Sequence, residues 1–237
     1  SYIGNNASVT TLGDVLLTSD LKEDIDSDSF SGALGYMAGI GATVCIVKDK
    51  SNSAAYIGSS AAVTADDVTL TANSNHDQNT LAVGAAGSLL GPAVAAGVIN
   101  GYNSSTTWAY INNLAVINCT GNLGVNASSV SNMKGVTYAP SLGYLFAGGA
   151  AVVILEDSST TYASVNQGAK IEKAGAVTLS ATYTPMVRAE AWGGGAGAVA
   201  GGVAYSRAKV LGSVKAYFGD SVEVGQAVGK TVGSISI

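Results

Sequence analysis

Tyr2-Ile3-Gly4-Asn5-Asn6-Ala7-Ser8-Val9-Thr10, closing at Asp14-Val15-Leu16-Leu17-Thr18-Ser19, returns as Tyr56-Ile57-Gly58 through Val63-Thr64 to Asp67-Val68-Thr69-Leu70-Thr71-Ala72. Looser copies run from Tyr110-Ile111-Asn112 to Leu123-Gly124-Val125-Asn126-Ala127 and from Ser164-Val165-Asn166 to Val177-Thr178-Leu179-Ser180-Ala181; a fifth opens at Tyr217-Phe218-Gly219. Their starts lie 54, 54, 54 and 53 residues apart. A period of this size, held along the chain, marks a repeat architecture in which each unit buries its apolar face only against its neighbours. The units span approximately 2-55, 56-109, 110-163 and 164-216, with a partial unit at 217-237, and the unbroken repeat makes 1-237 one elongated domain.

Composition agrees with strands. Only 11% of residues are charged and 31 are glycine, in a background of Ala, Val, Ser, Thr and Asn. β-branched residues favour strands, and glycine weakens helix interiors. A net charge of −5 with few Lys and Arg removes the electrostatic basis for nucleic-acid binding. The apolar stretch Leu81 to Ile99 resembles a membrane span in length. Similar stretches recur in phase at Phe30 to Val47, Leu142 to Leu155 and Trp192 to Tyr205, so a structural repeat accounts for all four and no membrane insertion is expected. The chain starts at Ser1 without a signal peptide and begins and ends inside a repeat copy, which reads as a piece of a longer protein.

Within a unit, residues separate by parity, as a strand with one buried face requires. Ser53, Ala55 and Ile57 become Thr107, Ala109 and Ile111, then Thr161, Ala163 and Val165, then Val214, Ala216 and Phe218, which assigns this parity to the core. The alternate set, from Lys48 to Tyr56, Tyr102 to Tyr110 and Glu156 to Ser164, varies freely and faces solvent or a partner. A second strand starts at Val15/Leu17, Val68/Leu70, Leu123/Val125 and Val177/Leu179, after turns such as Ala65-Asp66-Asp67, Thr120-Gly121-Asn122 and Lys173-Ala174-Gly175. A third element, Val44-Cys45-Ile46-Val47 and its counterparts at 96–99 and 152–155, is apolar on both parities; it predicts a strand buried on both faces, covered by the Gly/Ala-rich stretch or by a second chain. The expected fold is all-β, a parallel β-solenoid of about four 54-residue units. One wide coil per unit is favoured over two narrow ones because only then do Tyr2, Tyr56 and Tyr110 occupy adjacent rungs.

The step Ala55-Tyr56-Ile57-Gly58 with Asp67-Val68-Thr69-Leu70-Thr71-Ala72, and Ala169-Lys170-Ile171-Glu172 with Ala176-Val177-Thr178-Leu179-Ser180-Ala181, resembles the arrays of giant bacterial surface proteins, the filamentous haemagglutinins and leukotoxin-like filamentous adhesins. That resemblance implies a secreted or surface-displayed right-handed β-helix serving as stalk or adhesive fibre. Its implied partners are a glycan or protein on a host or neighbouring cell, or further copies of itself.

Chemistry-bearing residues are sparse. The one histidine, His76, sits in the polar run Asn73-Ser74-Asn75-His76-Asp77-Gln78-Asn79 and reads as solvated or stacking rather than catalytic. Asp24, Asp26 and Asp28 alternate onto one strand face, but Ser29 and Gly35 stand where a calcium loop needs Gly and Glu, so no metal is expected. Gly193-Gly194-Gly195-Ala196-Gly197 lacks the Lys-Ser/Thr of a phosphate loop and belongs to the structural repeat. Cys45 stands where later units carry Ile99 and Val153 and reads as a small buried hydrophobe, and Cys119 need not pair with it. No catalytic residue and no cofactor is expected. Tyr56, Trp108, Tyr110, Tyr162 and Tyr217, on the variable face, are the candidate contact residues; the competing reading is a ladder of aromatic neighbours that stabilises the stack. The leading expectation is a non-enzymatic structural or adhesive fibre segment outside the cell, able to self-associate into filaments. The alternative is a carbohydrate-active β-helix, a polysaccharide lyase or depolymerase, for which only Lys170, Glu172 and Lys173 offer a charged cluster.

Overall fold

The computed structural model describes residues 1–226, 229 and 231–237, and among them every regular element is a strand and every strand pairing is parallel. The period from Asn52 shows the plan. Asn52–Ile57 lies in a first sheet, A, and a corner leads to Ala62–Ala65 in sheet B. A second corner opens the 21-residue strand Val68–Ser88 of sheet C, and a turn returns the chain as Ala93–Asn103 in sheet D. Thr106 then settles beside Asn52 to begin the next circuit. In-register partners are residues one period apart: Tyr2, Tyr56 and Tyr110 in sheet A, Val63 and Ile117 in sheet B, Leu70 and Val125 in sheet C, Ile99 and Val153 in sheet D. Sequence periodicity is thereby converted into continuous ladders of backbone hydrogen bonds, and equivalent positions occupy neighbouring rungs.

Sheet C is longer than the sequence suggests. The expected short strand at Val68/Leu70 and the Gly/Ala-rich stretch after it form one element, because inward-outward alternation continues through Ser74, His76, Gln78 and Thr80, which point inward although polar. Its inner face packs on sheet A at one end and sheet D at the other, and the core grades along it. Ile57, Leu70, Ile111, Ile117, Leu123 and Ile171 fill the wide end. Cys45, Val47, Ile99, Met133, Val153 and Leu155 occupy the middle, and only alanines, such as Ala86, Ala95 and Ala139, separate the sheets at the narrow end. There glycine allows the backbones to meet: a Cβ on Gly84 would lie 2.0 Å from the carbonyl oxygen of Ala96. The Gly193–Gly197 run has this same structural role, with a Cβ on Gly193 falling 2.3 Å from the Val203 carbonyl oxygen.

The apolar third element differs from expectation. Cys45, Ile99, Val153 and Leu155 are buried, but Val44 and Ile46 on the opposite face are 61% and 60% exposed, so the strand is covered on one side only. The sequence pattern reports apolar character on both parities and cannot tell a second covering layer from an uncovered sheet face. The core parity of sheet A is as read: Ser53, Ala55, Ile57, Thr107, Ala109, Ile111, Thr161, Ala163 and Val165 are buried, while Val214 in the last strand of that sheet is exposed.

Corners repeat as faithfully as strands. The corner between sheets A and B uses a left-handed residue each time: Asn6, Ser60, Leu114, Gly168 and Ser221, with φ from 56° to 68°. At the next corner Asp14 Oδ1 accepts from the Asp67 amide (3.2 Å), Asp67 Oδ1 from the Asn122 amide (2.5 Å) and Asn122 Oδ1 from the Ala176 amide (3.1 Å), each linking one rung to the next. The turn expected at Lys173-Ala174-Gly175 is absent. Lys170–Ala196 runs through it as one 27-residue strand, absorbing the extra residue as a register shift opposite Ile117 and Asn118.

Candidate functional site

In-register parallel pairing stacks identical strand positions, so outward side chains of sheet A form columns along the stack. One column holds Tyr2, Tyr56, Tyr110, Ser164 and Tyr217. The column two residues upstream holds Ala54, Trp108, Tyr162 and Lys215. Tyr2 and Tyr56 stack with centroids 5.2 Å apart and planes 7° apart; Tyr56 and Tyr110 follow at 4.9 Å and 4°. The ladder reading therefore describes the stretch from Tyr2 to Tyr110. The ladder stops at Ser164, where the periodic ring is replaced by a hydroxymethyl group.

A cleft of about 380 Å³ opens at that interruption, lined by Trp108, Tyr110, Asn112, Tyr162, Ser164, Asn166 and Tyr217, all uncharged. Four of the five aromatic residues singled out from the sequence meet there, whereas Tyr56 is taken up by the stack. Trp108 meets Tyr110 edge-on at 6.1 Å and lies 6.4 Å from Tyr162, tilted by 45°. Lys215 places its ammonium 5.8 Å from the Tyr162 ring centre, within cation–π range. Ser164 Oγ donates to Asn166 Oδ1 at 2.9 Å, which holds the base of the cleft in place. Burial, and secondarily the neighbouring Tyr56, push the Tyr110 phenol above its ordinary pKa, so it stays a neutral hydroxyl. The sequence reading missed Ser164, Asn112 and Asn166. Ser164 was legible as the position where the tyrosine period fails, but a missing side chain suggests nothing until its neighbours are seen to enclose the space.

The second polar feature is internal. Where sheet D turns into sheet A, Asp49 Oδ1 accepts from the Ser51 amide, Asn103 Oδ1 from Ser105 and Asp157 Oδ1 from Ser159, at 2.8, 3.0 and 3.1 Å. His76 reaches this line from sheet C. It is 3% exposed, not solvated as its polar run suggests, because strand parity turns it inward. Its Nδ1 lies 2.7 Å from Asp49 Oδ2 and 3.7 Å from Glu23 Oε2. Burial alone would raise the Asp49 pKa, but hydrogen bonds from His76 and Ser51 outweigh it and lower the carboxyl to about 2. Among the described residues, Glu23, Asp49 and His76 are the one group of three whose ligand atoms come within 4.8 Å, close enough to share a cation. The Asp49–His76 contact already engages the two most buried members.

The remaining candidates are dispersed. Asp24, Asp26 and Asp28 project outward along one strand, as read, but do not belong to that group of converging ligands. Lys170 pairs with Glu223 at 3.0 Å on the neighbouring rung. Cys45 and Cys119 are free and buried, with Cys45 in the column of Ile99 and Val153. No helix of the described residues is long and apolar enough to cross a membrane. No protein-family model, no curated protein and no solved structure matches the chain.

Proposed function

We propose that the chain is a non-enzymatic structural and adhesive segment of a bacterial cell-surface or secreted fibre, similar in kind to the filamentous haemagglutinins and adhesins that its repeats resemble. In this reading it is a single right-handed solenoid domain of about four 54-residue units. The observation that carries the proposal is the pairing of residues one period apart in all four sheets. Tension along the stack loads many parallel hydrogen bonds together, and each added unit extends the array by ~4.8 Å without changing its cross-section. Such a stack presents its outer columns as rows of identical spacing, which suits multivalent contact with glycan or protein on a neighbouring surface. The exposed outer face of sheet D, with Ile40, Val44, Ile46 and Val203, supports lateral self-association into filaments, since apolar sheet faces of this kind gain from being covered.

Single-molecule stretching of the full chain between its termini tests this reading. Unfolding in steps of roughly one period, about 180 Å of contour length, is expected; release of the whole length in one step at low force would count against a stack of semi-independent units. The alternative, a carbohydrate-cleaving β-helix, is tested by incubating the chain with acidic and neutral polysaccharides and measuring new chain ends. Turnover abolished by substitution of Glu172 or Lys170 would replace the structural reading.

A further inference from the structure

We infer that the interruption of the tyrosine ladder at Ser164 is a binding site for one neutral hexopyranose ring, which occupies the rung that the missing tyrosine leaves open. The inference rests on the reading of this face as a contact surface and gives that surface a ligand class.

The spacing is set by the backbone. Tyr110 and Tyr217 occupy the same column two rungs apart, with Ser164 between them, so their positions are about two strand spacings, ~9.6 Å, apart centre to centre, with one rung's interval on either side of the gap's middle. The filled part of the ladder shows what one rung accommodates: a six-membered ring at 4.9 to 5.2 Å from its neighbour. That interval is generous for two flat aromatic rings in face contact, which is why the tyrosines tile it with offset. A pyranose chair is thicker, because C–H bonds project from both faces, and a ring sandwiched at this interval places those hydrogens against π-surfaces. Its hydroxyls point out from the rim, and the rim of this cleft is where the polar groups are. Ser164 lies at the base, Asn112 and Asn166 stand on one side, and Trp108 with Tyr162 forms an aromatic wall on the other. Large apolar surfaces with a few convergent uncharged hydrogen-bonding groups are what a neutral polyhydroxylated ring requires. A flat aromatic hydrocarbon ring would tile the interval as the tyrosines do but would leave the rim hydroxyl and amides unpaired, and an acidic sugar would find no charged group in the lining, the adjacent Lys215 being engaged with the Tyr162 ring.

The site is also specific to one rung. Tyr2, Tyr56 and Tyr110 fill the column above, Ala54 stands where Trp108 and Tyr162 form the wall, and Gly58 stands where Asn112 and Asn166 supply amides. The aromatic wall, the amide side and the vacancy coincide only around Ser164.

The test uses the full chain with methyl β-glucoside, methyl β-galactoside and the corresponding β-linked tetrasaccharides, followed by Trp108 fluorescence in a Trp192→Phe background and by calorimetry. Saturable quenching at millimolar concentration is expected for at least one of the methyl glycosides, and binding of a tetrasaccharide with no binding of either methyl glycoside overturns the one-ring assignment. Ser164→Tyr should complete the ladder, raise Tm and weaken binding by at least about tenfold, as should Trp108→Ala without the rise in Tm. Ser164→Ala, which keeps the space open, should bind within about threefold of the parent. No quenching by any probe, or equal binding by Ser164→Tyr, overturns the inference. Either result leaves the stretching pattern of the fibre reading unchanged, so the two fail separately.

Discussion

Adding one methyl group at Gly84 should destabilise this protein about as much as truncating a large side chain of its core. Gly84 lies on the inner face of sheet C at the narrow end, where an added Cβ falls 2.0 Å from the Ala96 carbonyl oxygen, against roughly 3.3 Å for an ordinary C···O contact. Neither atom can rotate away, because both are backbone-fixed: Ala96 is paired with Ala42 on one side and Ala150 on the other, and Gly84 is paired with Ser31 and follows directly on the Val83–Tyr138 pair. Relief of more than 1 Å requires the two sheets to part, and the layer formed by Ala86, Ala93, Ala95, Ala139 and Ala151 loses its contacts with them. Overpacking commonly costs about 1–3 kcal/mol, and a backbone-to-backbone clash belongs at the upper end, so Gly84→Ala should cost about 3 kcal/mol. Gly32 supplies the control. It sits in sheet C one rung away, faces outward and has nothing within 4 Å of an added Cβ. Gly32→Ala should stabilise by about 0.5–1 kcal/mol through the lower entropy of the unfolded chain. The same substitution in one sheet thus changes sign with the face. Urea midpoints followed by circular dichroism measure both; a Gly84→Ala variant within ~0.5 kcal/mol of the parent would refute the close approach of sheets C and D.

Leu114 holds φ at 59° at the corner where other rungs place Asn6, Ser60, Gly168 and Ser221, and it is 61% exposed. Leu114→Asn should therefore relieve about 1–2 kcal/mol of left-handed strain while forfeiting less than half of a leucine's burial, and a net rise in Tm is expected; a fall would show that the leucine packs more than it strains. Asp49, with its carboxyl lowered to about 2, contributes stability that is complete above the ordinary carboxylate pKa near 4 and is lost as pH falls through 2. Asp49→Asn should then be less stable than the parent at neutral pH by about 2 kcal/mol, with the gap closing between pH 4 and 2, and a gap constant with pH would sink the account of a carboxylate held ionised by its hydrogen bonds. Burial raises the Cys119 thiol to about 11, leaving roughly one thiolate in a thousand at pH 8, so iodoacetamide should label it only on unfolding; labelling of the folded chain at the rate of a free thiol would contradict its burial.

Much of the architecture is legible from periodicity alone. The 54-residue interval, the parity of Ala55/Ile57 and Val68/Leu70, and the interchange of Cys45 with Ile99 and Val153 are local or periodic facts, and parallel in-register pairing preserves them. The length of sheet C was not legible, because Ser74, His76, Gln78 and Thr80 break the apolar pattern while keeping the alternation. Their inward direction depends on partners such as Thr107 for Ser74 and Asp49 for His76, which lie 33 and 27 residues away in the chain. The uncovered face of sheet D was illegible for a related reason: composition records that Val44 and Ile46 are apolar, and only the arrangement of the other sheets determines what lies over them.

By itself, then, the sequence determined which positions repeat, which parity is apolar and that the units stack, since these follow from composition and from a chain meeting its own copy at a constant interval. The tertiary structure decided where polar side chains are enclosed, how closely two sheets approach and which gaps become sites. Those properties belong to surfaces assembled from several rungs at once. The cleft at Ser164 shows the division: its aromatic residues can be named from the chain, but the space between Tyr110 and Tyr217 exists only because backbone pairing holds them two strands apart.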